Sequence, residues 1–445
     1  MSQRRGLLTA AAAVRALWVV LALGVGGCAS LVANSSGNDL GLVQDAMRQV
    51  ESSYVVPVGP DKLVSGALKG MLSKLDPHSD YMTETEYREL MATTSGQFGG
   101  IGIEVSVEEG VPQVVSAIDG TPAAAAGIEP GDRIVKADGV AIVGMDIGEV
   151  VRRLRGPPGS RVVLTIARTN RAPFDVTITR AIIRVESVKS ALKPGRIGYV
   201  RVSTFDETTP TELRRAIARL RQQSGGSFAG FVLDLRNDAG GLLDAAVDVA
   251  SEFLDSGTIV TTRGRDSGEN RIYDAPPNGD LIRGTPMVVL INGASASASE
   301  IVAGALQDNR RATVLGTHSF GKGSVQSIIP LDGRGALRLT TALYYTPSGQ
   351  SIQGHGITPD QVVPVPKDQQ VANAVVTYES DLFGSLKATG TLAPRARSRP
   401  ANPTAGGGVT GEADHPINPK VIGTAQDAQL NAAVAWLGSH RTAAR

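Results

Sequence analysis

The chain has 445 residues, with 44 lysines and arginines against 43 aspartates and glutamates and so a formal net charge of +1 at pH 7. That length gives room for two or three domains with cores of their own, and so even a charge balance removes any electrostatic case for nucleic acid or a strongly acidic partner. Glycine is frequent at 52 residues and aromatics make up only 4%, which favours tight turns over a large aromatic binding face, and a single cysteine, Cys28, excludes an intrachain disulfide.

At the N-terminus, Arg4 and Arg5 precede an apolar stretch, interrupted by Arg15, that reaches Leu23 and is followed by Val25-Gly26-Gly27-Cys28. This is the layout of a signal peptide over residues 1–28. A cysteine directly after small residues resembles a bacterial lipoprotein signal, which would leave Cys28 acylated as the first residue of the mature chain, although Val25 stands where leucine is usual. Ordinary cleavage and a retained anchor are the alternatives. The apolar run is shorter than the ~20 residues that a spanning helix needs, and nothing later in the sequence could cross a bilayer. The expectation is therefore an exported chain, periplasmic or attached through its N-terminus to the periplasmic side of a bacterial membrane.

Residues 29–95 read as a helical segment. Leu42, Val43, Met47 and Val50 recur near helical spacing, and Leu63, Ala67, Leu68, Met71, Leu72 and Leu75 form a second stripe. The stretch Leu75-Asp76-Pro77-His78-Ser79-Asp80-Tyr81-Met82 breaks the pattern, and Thr83 stands where it can cap a restarted helix. His78 lies beside two aspartates but has no second histidine nearby, so a turn is a better reading than a metal site.

Residues 96–182 form the next unit. Phe98-Gly99-Gly100-Ile101-Gly102-Ile103-Glu104-Val105 is a glycine-rich loop entering a strand, without the spacing or the following helix of a dinucleotide fingerprint. Strands are expected over 113–118, 133–137 and 162–167, with a helix over 146–154. The run from Gly120-Thr121-Pro122 to Glu129-Pro130-Gly131-Asp132-Arg133-Ile134 resembles the core of a bacterial PDZ domain. That resemblance implies capture of C-terminal peptides by strand addition, the terminal carboxylate lying on N–H groups of Gly100, Ile101 and Gly102. A plain tight turn is the alternative for these three residues.

From 183 to 365 the pattern alternates strand and helix after a linker around 193–195. Strands are expected over 197–202, 230–235 and 287–292, and helices over 209–222, 243–253 and 299–308. The 230–235 strand is largely apolar, as in a sheet covered on both faces. It runs into Asn237-Asp238-Ala239-Gly240-Gly241-Leu242, where a Gly-Gly turn lets backbone N–H groups approach a ligand closely.

The densest chemistry lies from Ile291 to Gln326, INGASASASEIVAGALQDNRRATVLGTHSFGKGSVQ. A strand passes through small residues into a helix, so an oxyanion developing beside Ser297 or Ser299 would meet unpaired N–H groups and the positive end of the helix dipole. Lys322 sits between two glycines, and burial would lower its pKa toward a neutral amine able to act as a base. If Lys322 starts the next strand, it shares a face with Gln326, which could orient the amine. Ser297-Ala298-Ser299-Glu300 is also a capping box, in which Ser297 does no more than cap the helix.

NGASASASEIVAGALQD followed by TVLGTHSFGKGSVQ resembles the signature of the carboxy-terminal processing, or tail-specific, proteases. The resemblance implies a Ser/Lys dyad with Ser297 as nucleophile, Lys322 as base and Gln326 assisting, while Asp308 takes a supporting role. It further implies that L-D-L-R-N-x-x-G-G supplies a second oxyanion N–H, so that Gly241 joins Ala298, the choice between Gly240 and Gly241 staying open. Ala294 stands where the family has glycine, and Ala239 where it has proline or glycine. The LDPHSDYM and SIQGHGITPD stretches also recur in the family as structural elements.

A Ser/His/Asp enzyme would need His318 or His355, but the chain lacks both G-x-S-x-G and G-N-S-G-G. No paired histidines or cysteines occur at ligand spacing, so neither metal nor cofactor is expected. A non-catalytic PDZ adaptor that binds tails for a partner hydrolase is the remaining alternative. The fold expected is α+β and multidomain: an N-terminal helical segment, a PDZ domain, a crotonase-like α/β protease core and a flexible C-terminal region over 366–445. That last region holds a Pro/Ala/Gly/Arg-rich linker over 387–416 and a short helix over 425–437, with Leu430, Val434 and Leu437 on one face. The partners implied are proteins with exposed C-terminal tails, an activating adaptor and a second copy of the chain.

Overall fold

A computed structural model describes residues 39–108, 110–118, 120–184, 186–371, 376–388 and 416–440. The expected signal segment with Cys28, and residues 389–415 of the expected linker, lie outside the described residues. The chain divides into two compact units that part after Met71. The first carries α1 (Asp39–Ser53) and most of α2 (Pro60–Leu72), whose first position is a proline, where the missing N–H would have had no helical acceptor.

In the second unit, the stretch expected to break the helical pattern does so, and part of it is a strand that was not expected. Asp80–Met82 forms strand β1 of the larger body, and α3 (Glu84–Thr94) starts at the expected cap. Thr83 Oγ1 accepts the Glu86 N–H at 3.3 Å while the Glu86 carboxylate accepts the Thr83 N–H at 2.7 Å. The chain then enters β2 (Gln97–Gly100).

The PDZ-like unit follows, with β3 (Ile103–Glu108), β4 (Val111–Ala117), α4 (Pro122–Ala125), β5 (Arg133–Ala137), β6 (Val140–Ala141), α5 (Ile147–Leu154), β7 (Arg161–Ala167) and β8 (Phe174–Thr179). Its antiparallel sheet runs β3-β4-β5-β7-β8, with β6 on β5, so β3 is an edge strand. Val162, Leu164 and Ile166 are fully buried and alternate with more exposed residues, the period of a strand with one face inward. Helix α5, capped by Asp146, buries Val150 and Leu154 at i and i+4 against them.

Strand β9 (Ala181–Arg184) returns to pair with β2, and β10 (Val188–Lys193) and β11 (Ile197–Val202) form a hairpin. The expected linker at 193–195 is therefore the hairpin's tight turn, closed by Arg196 at φ +58°. Alternation of α6 (Thr209–Gln223), β12 (Gly230–Asp234), α7 (Leu243–Ser251), β13 (Thr258–Gly264), β14 (Arg271–Asp274), β15 (Met287–Ile291), α8 (Ala298–Asp308) and β16 (Thr313–Gly316) builds the core. Strands β17 (Ser324–Pro330), β18 (Ala336–Tyr345) and β19 (Gln361–Val362) and helix α9 (Ala428–Ser439) complete it.

The main sheet runs β10-β11-β12-β15-β16-β19 and is parallel from β11 onward. Strands β12 and β15 are buried at every position because both faces are covered. Phe231, Leu233 and Val289 pack on helices α6 to α8, and Val232, Val288 and Leu290 pack on Leu430, Ala433 and Leu437 of α9. The C-terminal helix thus docks on the body, through Ala433 more than through the expected Val434. A second, antiparallel sheet runs β1-β18-β13-β14, with β17 on β18. Shortening Leu437 to alanine should lower the stability of the core by about 2–4 kcal/mol, read as a lower urea midpoint with the denaturant slope unchanged.

Candidate active site

Strands β12 and β15 lie side by side and parallel, so the loops that follow them emerge together at the carboxyl edge of the sheet. The loop after β15 brings Ser297 to the head of α8 with φ +56° and ψ −111°. A non-glycine residue in that region is strained, and the strain holds the side chain at the tip of a sharp turn. Ser297 is 7% exposed, and its side chain is hydrogen-bonded to the buried Tyr344, whose ionisation burial pushes above its ordinary range.

The capping-box reading of Glu300 accounts for half of what its carboxylate does. Glu300 is fully buried, and Oε2 accepts both the Ser297 N–H at 2.7 Å and the Lys322 N–H at 3.0 Å. Oε1 accepts the Ser319 hydroxyl at 2.6 Å and the Gly321 N–H at 2.7 Å. The backbone nitrogens of Ser297 and Lys322 therefore converge on one oxygen, although 25 residues of numbering part them. Burial pushes the Glu300 carboxyl up to about 7, against the pull of these donors.

Lys322 is held below the ordinary lysine range, first by burial and then by the cation of Arg338, with Glu379, Glu300 and Asp76 pulling the other way. Its amine makes no hydrogen bond or ion pair among the described residues. The strand after it starts at Ser324, with a bulge between Val325 and Gln326, so Lys322 and Gln326 do not share the assumed alternation. The Gln326 amide accordingly donates to Ser324 Oγ at 2.9 Å and Thr340 Oγ1 at 3.3 Å, not to the lysine amine. Asp308 lies at the far end of α8 from Ser297, where its carboxylate accepts the Ser348 N–H at 2.8 Å.

The glycine turn after β12 lies against the serine turn. A Cβ on Gly240 would stand 2.9 Å from Ser297 Cβ and 2.7 Å from the Ala296 carbonyl, so only glycine permits this approach. The Gly240 N–H is taken up by Asp238 Oδ1 at 2.8 Å. The Gly241 and Ala298 N–H groups have no acceptor among the described residues, which favours Gly241 over Gly240 as a donor to a ligand. His355 Nδ1 lies 3.0 Å from the Gln353 carbonyl, and the His318 ring lies 6.0 Å from that of Tyr378.

Several contacts to the lysine loop could not be read from local spacing. Glu379 is fully buried, pairs with His78 Nε2 at 2.8 Å and accepts from Gln353 Nε2 at 2.8 Å, while Gln353 Oε1 accepts the Gly323 N–H at 3.0 Å. His78 does sit in the expected turn, its N–H on Asp76 Oδ1 at 2.8 Å, but its ring belongs to this network. At the other candidate site, Gly102 has φ +81°, and a Cβ there would stand 2.3 Å from Thr121. The Ile101 and Gly102 N–H groups have no acceptor among the described residues, at the start of edge strand β3. Gly100 by contrast ends β2, paired to Ala181.

Residues 196–363 match the model of peptidase family S41, residues 113–168 that of the PDZ domain, and residues 29–86 that of the activating protease CtpB N-terminal domain. The chain is 51% identical over 346 residues to a carboxy-terminal-processing protease of Bartonella bacilliformis, a match that covers 77% of this chain and 79% of the relative. It is 35% identical over 343 residues to the carboxy-terminal processing protease CtpA of Bacillus subtilis, covering 76% and 72%. Among solved structures, a photosystem II D1 C-terminal processing protease matches at 31% identity over 72% of this chain and 92% of that chain, with a TM-score of 0.44. The chain belongs to peptidase family S41, and is a PDZ-bearing serine peptidase of the carboxy-terminal processing group.

Proposed function

We propose that this peptidase grips the C-terminal tail of a protein in its PDZ domain and cleaves the chain with Ser297 as nucleophile and Lys322 as general base. The observation that carries this reading is the Glu300 carboxylate, which binds the backbone of both residues through a single oxygen. Lys322, whose pKa desolvation lowers from the ordinary lysine value, takes the Ser297 proton in its neutral form as Oγ attacks the scissile carbonyl. The tetrahedral oxyanion is held by the Gly241 and Ala298 N–H groups at the head of α8. Its collapse breaks the C–N bond, the lysine proton passes to the leaving amine, and water activated by the same lysine then hydrolyses the acyl-serine ester. Gln326 and Asp308 act at a distance from the reacting atoms, Gln326 through the strand that carries the lysine loop and Asp308 through the far end of α8. A silent adaptor has no use for a buried lysine or a strained serine, and nothing in the site favours it.

The tail would extend the PDZ sheet along the free edge of β3, with its carboxylate at the Ile101 and Gly102 N–H groups and Gly100 shaping the entry. Export is supported by the basic and apolar N-terminus ahead of Gly26-Gly27-Cys28, with Cys28 as the acylated anchor on the periplasmic side. Among the described residues no helix is long and apolar enough to cross a membrane. A homodimer is supported by α1 and α2, which leave Leu40, Leu42, Val43, Val50 and Met71 exposed. An activating adaptor fits a resting state in which the lysine amine has no partner.

Ser297→Ala should lower cleavage of an unstructured protein by about 10³-fold or more while tail-peptide affinity stays unchanged; equal cleavage by the two forms would return the adaptor reading. The kcat/KM profile should rise with pH through a midpoint below 10.5, the ordinary lysine value, and Arg338→Gln should move that midpoint upward by removing the cation that disfavours the ammonium. Gly102→Ala should raise KM for a long tailed substrate by about tenfold, with hydrolysis of short peptides unchanged.

A further inference from the structure

We propose that the start of the C-terminal helix, through Asp427 and Gln429, is a positioning element for the reaction, holding in place the glycine turn that presents the Gly241 N–H. The inference rests on the reading of Ser297 as nucleophile and of that N–H as an oxyanion donor.

The link between the two regions is Arg236, which lies two residues beyond the end of β12 and immediately precedes Asn237 of the glycine turn. It is fully buried, with Nε and Nη2 on the two oxygens of Asp234 at 2.9 and 2.6 Å. Its other edge faces the C-terminal segment: Nη1 and Nη2 bind the two oxygens of Asp427 at 2.9 and 2.6 Å, and Nη1 also reaches Gln429 Oε1 at 3.0 Å. Arg236 and Asp427 are 191 positions apart, and Asp427 lies beyond the region that matches the peptidase family. Asp427 is itself fixed, because it caps α9 by accepting the Leu430 N–H at 3.0 Å and accepts the Gly423 N–H at 2.8 Å. All the side chains in this cluster are fully buried, and the guanidinium is gripped as a two-sided fork that allows no sliding.

That grip passes directly into the site. Asn237, at φ +56°, donates its Nδ2–H to the Ile417 carbonyl at 3.3 Å and its backbone N–H to Asn292 Oδ1 at 3.0 Å. The next carbonyl, of Asp238, accepts the Ala296 N–H and the Ser299 hydroxyl, each at 3.0 Å, on either side of Ser297. The C-terminal segment therefore holds one end of the turn while the nucleophile's loop holds the other. Burying a cation between two carboxylates adds little net stability compared with an apolar cluster of the same volume, so geometry is what this arrangement supplies.

The test uses full-length Asp427→Asn, which keeps the side chain's volume and its capping oxygen but removes its charge. The expected result is a kcat lower by about 10–100-fold with KM and tail-peptide affinity within about twofold, and an equal loss of affinity for a peptide aldehyde, whose adduct with Ser297 carries the oxyanion. An unchanged kcat in the folded variant would overturn the proposal. So would a lower kcat with undiminished aldehyde affinity, since the loss would then lie away from the oxyanion. Should Asp427→Asn fail to fold, Gln429→Ala removes one bond to Arg236, and the same parallel fall, about threefold, is expected; no fall would overturn the proposal equally. Persistence of cleavage in Ser297→Ala would defeat the nucleophile reading itself, whereas an inactive Ser297→Ala beside an indifferent Asp427→Asn would defeat only the role of the C-terminal segment.

Discussion

The site depends on one buried carboxylate. Glu300 receives N–H groups from the serine turn and the lysine loop, together with the Ser319 hydroxyl, and so ties the two segments through one side chain. Each donor is itself buried or nearly so, and leaving any of them unpaired would cost about 1–3 kcal/mol. The folded-state value of about 7 lies above the ordinary 4.5, so this group favours the folded chain most below pH 4.5, and that contribution is lost as pH rises through about 7. The ionised form is the one that satisfies every donor. The protein therefore accepts a stability cost near neutral pH to keep the two loops in register.

Much of the architecture was legible because burial imposes period. The apolar runs of β12 and β15 announce a sheet covered on both faces, and the alternation in β7 announces one covered on a single face. Thr83 was legible as a cap because that chemistry is local, whereas Asp146, expected to be the first residue of its helix, stands before it as the cap. Strands as short as β1, or as exposed as β14, carry no such signal. The turn at 193–195 has the composition of a linker, yet it closes a hairpin whose first strand, β10, is too mixed in polarity to announce itself.

The site was legible in its residue types and less so in its wiring. Ser297, Lys322 and the glycine turn are set by short motifs, and the open choice between Gly240 and Gly241 narrows once the Gly240 N–H is found on Asp238. The proposed pairing of Gln326 with the lysine amine assumed strand alternation from residue 322, and both the later strand start and the bulge cancel that assumption. Glu379, Gln353, Asp427 and Gln429 act on residues tens to hundreds of positions away, and no periodicity encodes a contact of that span.

Because α9 supplies the cover for Val232, Val288, Leu290 and Leu315, a helix made after every strand it covers completes the core sheet. A polypeptide that emerges N-terminus first must carry this greasy underside naked until residues 428–439 have been released. Synthesis of that helix thus precedes competence, and a product truncated or stalled before it would display a sticky sheet in place of a finished cutting centre.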